Sequence, residues 1–205
     1  MACADEILRI TADMDTFSFL RYLIAERFPG MTVATCSLRA RSVVVLKMIS
    51  EIDRSTPIVF CHMPNLYPES LAYRDKLVSD LGLRDIREPG EDHGALPGDC
   101  NHSEGLWAEN PVDHMRAYRT VHLNRALAGF ECWISAVYHG PYPDLPGPRV
   151  RDEGRLIRID PLASWTQSQV RDFMREHGLS YHPRAILDRS QLPEEEPASV
   201  VTFAY

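Results

Sequence analysis

The sequence predicts an α/β protein built on a doubly wound, mostly parallel sheet flanked by helices. Three observations carry that expectation. Short apolar or β-branched runs, "MTVATCS", "TPIVFCH", "ECWISAVYH" and "RLIRIDPL", recur between turn residues, as buried strands do. Segments with apolar residues at helical spacing lie between them. Strand and helix alternate at the separation that parallel pairs need for their crossovers.

Taken in order, Phe17, Leu20, Leu23, Ile24 and Phe28 share one helical face, and Pro29-Gly30 ends that helix. "MTVATCS" follows as a strand. "SVVVLKMISEI" suits a strand or a buried helix equally by periodicity. "TPIVFCH" is a second strand, and "YPESLAYRDKLVSDLG" a helix with Pro68 in its first turn and Gly82 as its C-cap. From about 87 to 110 the texture is acidic, rich in glycine and histidine, and without period, which predicts a loop. "VDHMRAYRTVHLNRALAG" returns to helix and closes at Gly129. A proline-rich stretch over 140–154 predicts irregular chain. "TQSQVRDFMREHG" opens with a capping-box pattern, Thr166 to Gln169, and stops at Gly178.

The chain has 205 residues, which most simply make one domain, here 1–190, followed by a tail over 191–205. A net charge of −7 excludes a general nucleic-acid binder. No apolar run approaches the roughly 18 residues that span a bilayer, so no membrane partner is expected. Five scattered cysteines without a C-x-x-C do not form a disulfide framework, and the expected compartment is the reducing cytoplasm.

Three stretches in sequence order resemble the phosphoadenylyl-sulfate reductase family of adenine-nucleotide α-hydrolase-like proteins. "STPIVFCHMPNLYPESLAYRDKLVSDLGL" is similar to that family's second strand and following helix. "YRTVHLNRAL" is similar to its Lys-Val-Glu-Pro segment. "RLIRIDPLASWTQSQVRDFMREHGLSYHP" is similar to its Lys-Val-x-Pro-Leu-x-Asp-Trp segment and the Tyr-His-Pro beyond it. The likeness runs from Phe17 to Pro183 and implies the fold, an adenine nucleotide as the ligand, and homodimers. The site motifs depart from the family. The phosphate loop keeps Ser37 and Ser42 but has Arg39 where glycine is expected, and glycine serves there because a Cβ obstructs backbone approach to phosphate. Asp-Thr-Gly becomes His62-Met63-Pro64, and Gly-x-Arg-Arg becomes Ala136-Val137-Tyr138-His139. Arg119 keeps the charge of the family lysine, while Val121 and His122 replace its Glu and Pro. No cysteine follows Cys132 where the family has its Glu-Cys-Gly tail, and no paired cysteines precede Arg119, so neither the usual thiol nor an iron–sulfur cluster is expected.

The reading is therefore a divergent member that holds an adenylated or other anionic small molecule at the strand carboxyl ends. Ser37, Arg39, Arg41, Ser42 and Arg119 would bind the anion, and His62 or His139 would handle protons. Against this, Arg39 could instead fill the old phosphate space or pair with an acid. A binding protein without catalysis, and a reductase using Cys36 or Cys61, are the alternatives. Cys36, Cys61, His62 and His139 could meet as a metal site, as could His93, Cys100 and His102; buried apolar cysteines and a plain polar loop are the favoured readings. Arg116 and Arg125 share the Arg119 helix, with Arg125 expected in solvent. Trp133 and Trp165 are expected in the core, and Arg149 and Arg151 as replacements for the missing anion grip.

Overall fold

The computed structural model describes residues 4–61, 67–87, 123–136 and 148–184. Six strands make one sheet: β1 (Thr32–Cys36), β2 (Ile58–Phe60), β3 (Ile86–Arg87), β4 (Cys132–Ser135), β5 (Val150–Asp152) and β6 (Ile157–Ile159). Their order is β3-β2-β1-β4-β6-β5. Every pairing is parallel except β5 with β6. The expected fold class is observed, and the sheet reverses its direction of growth between β1 and β4.

Register separates the sheet's two faces. Ala34, Cys36, Ile58, Phe60, Ile134 and Ile159 point to one side and are buried. They pack in one core with α1 (Ala4–Ile10), α2 (Thr16–Arg21), α3 (Ala40–Ile52), α4 (Pro68–Leu81) and α5 (Gln167–Glu176). The opposite face presents Val33 and Val59 to a smaller core with Leu127, Phe130 and Leu156, beneath the helical residues 123–126. Such burial of both faces is what gives parallel strands continuous apolar runs instead of alternation.

Local chemistry fixes the helix ends. Asp15 caps α2 by accepting from the Phe17 and Ser18 backbone N–H groups at 2.9 and 3.1 Å. That helix runs on as a π-helix over Tyr22–Arg27. Pro68 opens α4, and Gly82 closes it in the left-handed region, where a side chain is strained. The Thr166–Gln169 capping box forms as the pattern predicts.

The ambiguous β-branched run is α3. Its Val43, Val44, Val45, Leu46, Met48 and Ile49 are all buried, so no polar stripe marks a helical period. Topology decides the case, because parallel β1 and β2 need a crossover between them. Two expectations need correction. The proline-rich stretch is not irregular to its end, since β5 begins two residues after Pro148 and turns into β6 through Gly154 at φ +78. The aperiodic stretch also starts on a strand residue, Arg87, which with Ile86 forms β3 at the sheet edge. Among the described residues no helix is long and apolar enough to cross a membrane.

Candidate functional site

The carboxyl end of β1 sits at the point where strand order reverses, the place where open parallel sheets hold ligands. Ser37 to Arg39 carry the chain from β1 into α3. Ser42 Oγ accepts from the Ser37 backbone N–H at 3.3 Å and donates to the Arg39 carbonyl at 3.0 Å. With its single proton so placed, it accepts from Ser37 Oγ, 3.0 Å away. The two serines singled out from sequence are thus joined, and they hold the turn.

Arg39 is the N-cap of α3, at φ −86, and no side chain caps that helix. The left-handed residue is Leu38, at φ +61 with its side chain buried. The conformation for which glycine is suited therefore lies one residue before the place where the sequence comparison looks for it. No acidic residue occupies the first turn of α3, and negative charge is favoured at such a helix start.

Arg41, a predicted anion ligand, points elsewhere. Its guanidinium donates to the Leu162 carbonyl at 2.6 Å and the Trp165 carbonyl at 3.2 Å, and stands 3.7 Å from the Asp160 carboxylate. It ties α3 to the loop after β6. Asp160 is buried, and burial raises its pKa, with Arg41 the first influence pulling it back down.

The cysteines separate by environment. Cys36 is buried, accepts from the Leu38 N–H at 3.3 Å, and burial pushes its thiol up to about 12. Cys132 is likewise buried and pushed up to about 12. Cys61 is exposed just past β2, and its backbone N–H donates to the Cys36 carbonyl at 2.9 Å. Among the described residues no group of three or more His, Cys, Asp or Glu could hold a metal ion. His62, His139, His93, Cys100, His102, Arg116 and Arg119 lie outside the described residues.

A polar strip lies on the smaller-core face; of its residues, sequence reasoning named Arg151 as an anion-grip candidate and Trp133 as core, and passed over Arg158, Thr35 and Ser135. Trp133 Nε1 donates to Thr35 Oγ1 at 2.9 Å. Arg158 stacks over the Trp133 ring at 4.4 Å and reaches Ser135 Oγ at 3.4 Å. Arg151 stands opposite Arg158 across the β5–β6 pair. The signal was an arginine at the inward position of "RLIRIDPL", read there only as strand alternation. Of the other basic candidates, Arg149 lies over the Phe19 ring at 3.6 Å, away from this strip. Trp165 packs against the main core, its Nε1 bonded to Thr16 Oγ1 at 2.9 Å, and Trp133 borders the smaller one.

A mostly parallel sheet with a serine turn at its switch point and helices on its faces defines a doubly wound α/β protein. Residues 31–184 match the phosphoadenosine phosphosulfate reductase domain, and the chain belongs to that family. It is 33% identical over 159 residues to the adenosine 5′-phosphosulfate reductase of Mesorhizobium japonicum, covering 77% of this chain and 62% of that protein. It is 27% identical over 168 residues to the phosphoadenosine 5′-phosphosulfate reductase of Xylella fastidiosa, covering 77% and 68%. The chain thus spans less than two thirds of the Mesorhizobium protein. Among solved structures, it matches a phosphoadenylyl-sulfate reductase from Candida auris in phosphate complex, with TM-score 0.66 and 16% identity over 89% of each chain. The U34-tRNA thiolase NcsA of Methanococcus maripaludis matches with TM-score 0.52 and 15% identity, over 88% of this chain and 67% of that one. At such identities these two speak for the fold.

Proposed function

We propose that the protein is an enzyme that binds an adenylated or other anionic small molecule in the β1–β4 crevice. The observation that carries this reading is the start of α3: a helix N-terminus without a side-chain cap, with no acidic residue in its own first turn, at the switch point and beside Ser37. Family membership and the names of the relatives favour adenosine phosphosulfates as the ligand class. Arg39, exposed at the mouth of the turn, and Arg119 add positive charge, and His62 or His139 carries the proton. A second copy of the chain and a cytoplasmic setting complete the picture.

The chemistry proposed differs from thiolate attack by a core cysteine. Two of the described thiols, Cys36 and Cys132, are buried and pushed up to about 12, so they stay protonated and unreactive near neutral pH. Cys61 is exposed, and it keeps one second reading open: a reductase with its thiol just past β2.

Thermal unfolding with adenosine 5′-phosphosulfate, adenosine 3′,5′-bisphosphate and AMP tests the binding. A ligand at a hundredfold excess over Kd adds about 2.7 kcal/mol of stability, which raises Tm by several degrees. Arg39→Asp places a carboxylate at the start of α3 and should abolish the ligand shift. No shift with any of the three ligands ends the reading.

A further inference from the structure

A hollow lies at the opposite end of the sheet from the start of α3. It is a cavity of about 520 Å³ that opens where β1, β4 and β6 begin. Its floor is apolar and draws on both cores: Phe28 and Ile157 belong to the main one, Phe130 and Leu156 to the smaller, and all four are buried. Backbone groups at this edge bond to one another. The Met31 carbonyl accepts from the Glu131 and Cys132 N–H groups at 3.0 and 3.1 Å, and the Glu131 carbonyl accepts from the Ile157 N–H at 2.8 Å. Recognition of a ligand here therefore falls to side chains.

Three charged residues line the same hollow: Arg27, Glu131 and Arg155. Arg27 is half-buried, its guanidinium 4.9 Å over the Phe28 ring, while Glu131 and Arg155 are exposed. Among the described residues no ion pair joins Glu131 to either arginine, and neither arginine has another acidic partner. Both signs of charge thus border one apolar floor without neutralising each other. A concave site with an apolar lining and a few polar groups at its border is the form that small-molecule sites take. We infer that this cavity binds a small zwitterion with an apolar body, of amino-acid or dipeptide size. The arginines take its carboxylate, Glu131 its ammonium, and the four buried side chains its apolar part. A simple anion meets repulsion from Glu131, and a simple cation meets it from two arginines; only a ligand carrying both charges suits all three residues. The inference does not rest on the nucleotide reading, whose crevice lies at the other ends of the same strands.

Backbone amide NMR spectra of the full chain, titrated with leucine and with leucyl-leucine, locate the site and separate the two sizes of ligand. At least one of them should move the Met31, Gly129, Gly154 and Ile157 resonances with millimolar affinity, and leave Ser37 and Ala40 in place. The N-acetyl form of the tighter ligand lacks the ammonium and its amide form lacks the carboxylate. Each should bind at least roughly threefold more weakly, as the loss of one exposed ion pair dictates. Glu131→Gln should weaken the zwitterion by about the same factor and leave the N-acetyl form unchanged. Arg155→Gln should weaken both of these and leave the amide form unchanged. Both substitutions fall on exposed side chains, so the fold is kept. No movement at these resonances up to about 20 mM of either ligand overturns the inference. So does a blocked form that binds as well as the zwitterion, or a variant that weakens all forms alike. Each of these results leaves the nucleotide reading standing.

Discussion

Leu38 occupies a conformation that costs an L-residue about 1–2 kcal/mol, and it does so with its side chain 6% exposed in the main core. Two effects compete when it is replaced. Leu38→Ala keeps the backbone strain and loses the buried isobutyl group, which should cost roughly 2–5 kcal/mol. Leu38→Gly loses the same packing but relieves the strain, so it should be more stable than the alanine variant by about 1 kcal/mol. Urea unfolding of both proteins measures the order. An alanine variant equal to or more stable than the glycine variant would show that the turn is not held left-handed in solution. The inversion of the usual preference for alanine matters to function, because the turn keeps its shape through packing. Leucine also supplies a buried anchor that glycine lacks, which explains how this left-handed turn persists without glycine.

At the scale of elements, Arg41 joins α3 to the β6–α5 loop through two carbonyls and Asp160. Arg41→Ala leaves those acceptors and a 7%-exposed carboxylate without that partner, and the cost at pH 7 should be about 2–4 kcal/mol. The cost should shrink on acidification. Arg41 lowers the Asp160 pKa against a larger upward push from burial, so its removal lifts that pKa further above the ordinary 3.8. Between that raised value and 3.8 the folded variant binds a proton that the unfolded chain does not, and stability rises as pH falls. Urea midpoints of variant and wild type at pH 7 and pH 5 should therefore converge; a gap that is constant or wider at pH 5 contradicts the account. The same residue shows where sequence stops being informative. The turn that Ser37 and Ser42 hold was legible because their neighbours in the turn are neighbours in the chain. Arg41 read as a ligand because its partners lie 121 and 124 residues away. Arg158 was hidden because an arginine in an alternating run looks like an outward-facing residue, and which face a second core covers is a tertiary fact. For the elements, capping chemistry made α4 and α5 readable. The two-residue β3 and the edge strand β5 carry too little pattern to stand out from loop.

At the scale of the whole molecule, the question is what fastens the segment beyond α5 back onto the sheet. Tyr73 Oη of α4 donates to the Ser180 carbonyl at 2.6 Å, and His182 Nε2 meets Ser70 Oγ at 2.9 Å. The His182 ring packs edge-on against Tyr73, and the Arg184 guanidinium lies 3.4 Å over the Tyr67 ring. The helix α4 follows β2, whereas residues 180–184 follow β6 and α5, so this clasp bridges the two halves of the sheet across β1 and β4. Its strength depends on pH through His182. Burial first and Arg184 second lower the imidazole pKa below 6.5, with Glu69 opposing. For a histidine lowered in this way the unfolded chain protonates first. The contribution of His182 is thus complete above pH 6.5 and is lost as pH falls from there through the folded value. The stability deficit of His182→Asn relative to wild type should be largest near pH 7.5 and diminish toward pH 5.5. Tyr73→Phe removes a bond whose phenol is pushed far above this range, so its deficit of about 1 kcal/mol should stay flat over the same interval. Urea unfolding of the three proteins at matched pH separates these slopes. A flat His182→Asn deficit would assign the clasp to packing and the Tyr73 bond alone, with no titrating part. The Arg41→Ala and His182→Asn deficits both shrink on acidification, and the flat Tyr73→Phe deficit separates the titrating part of the clasp from its fixed part.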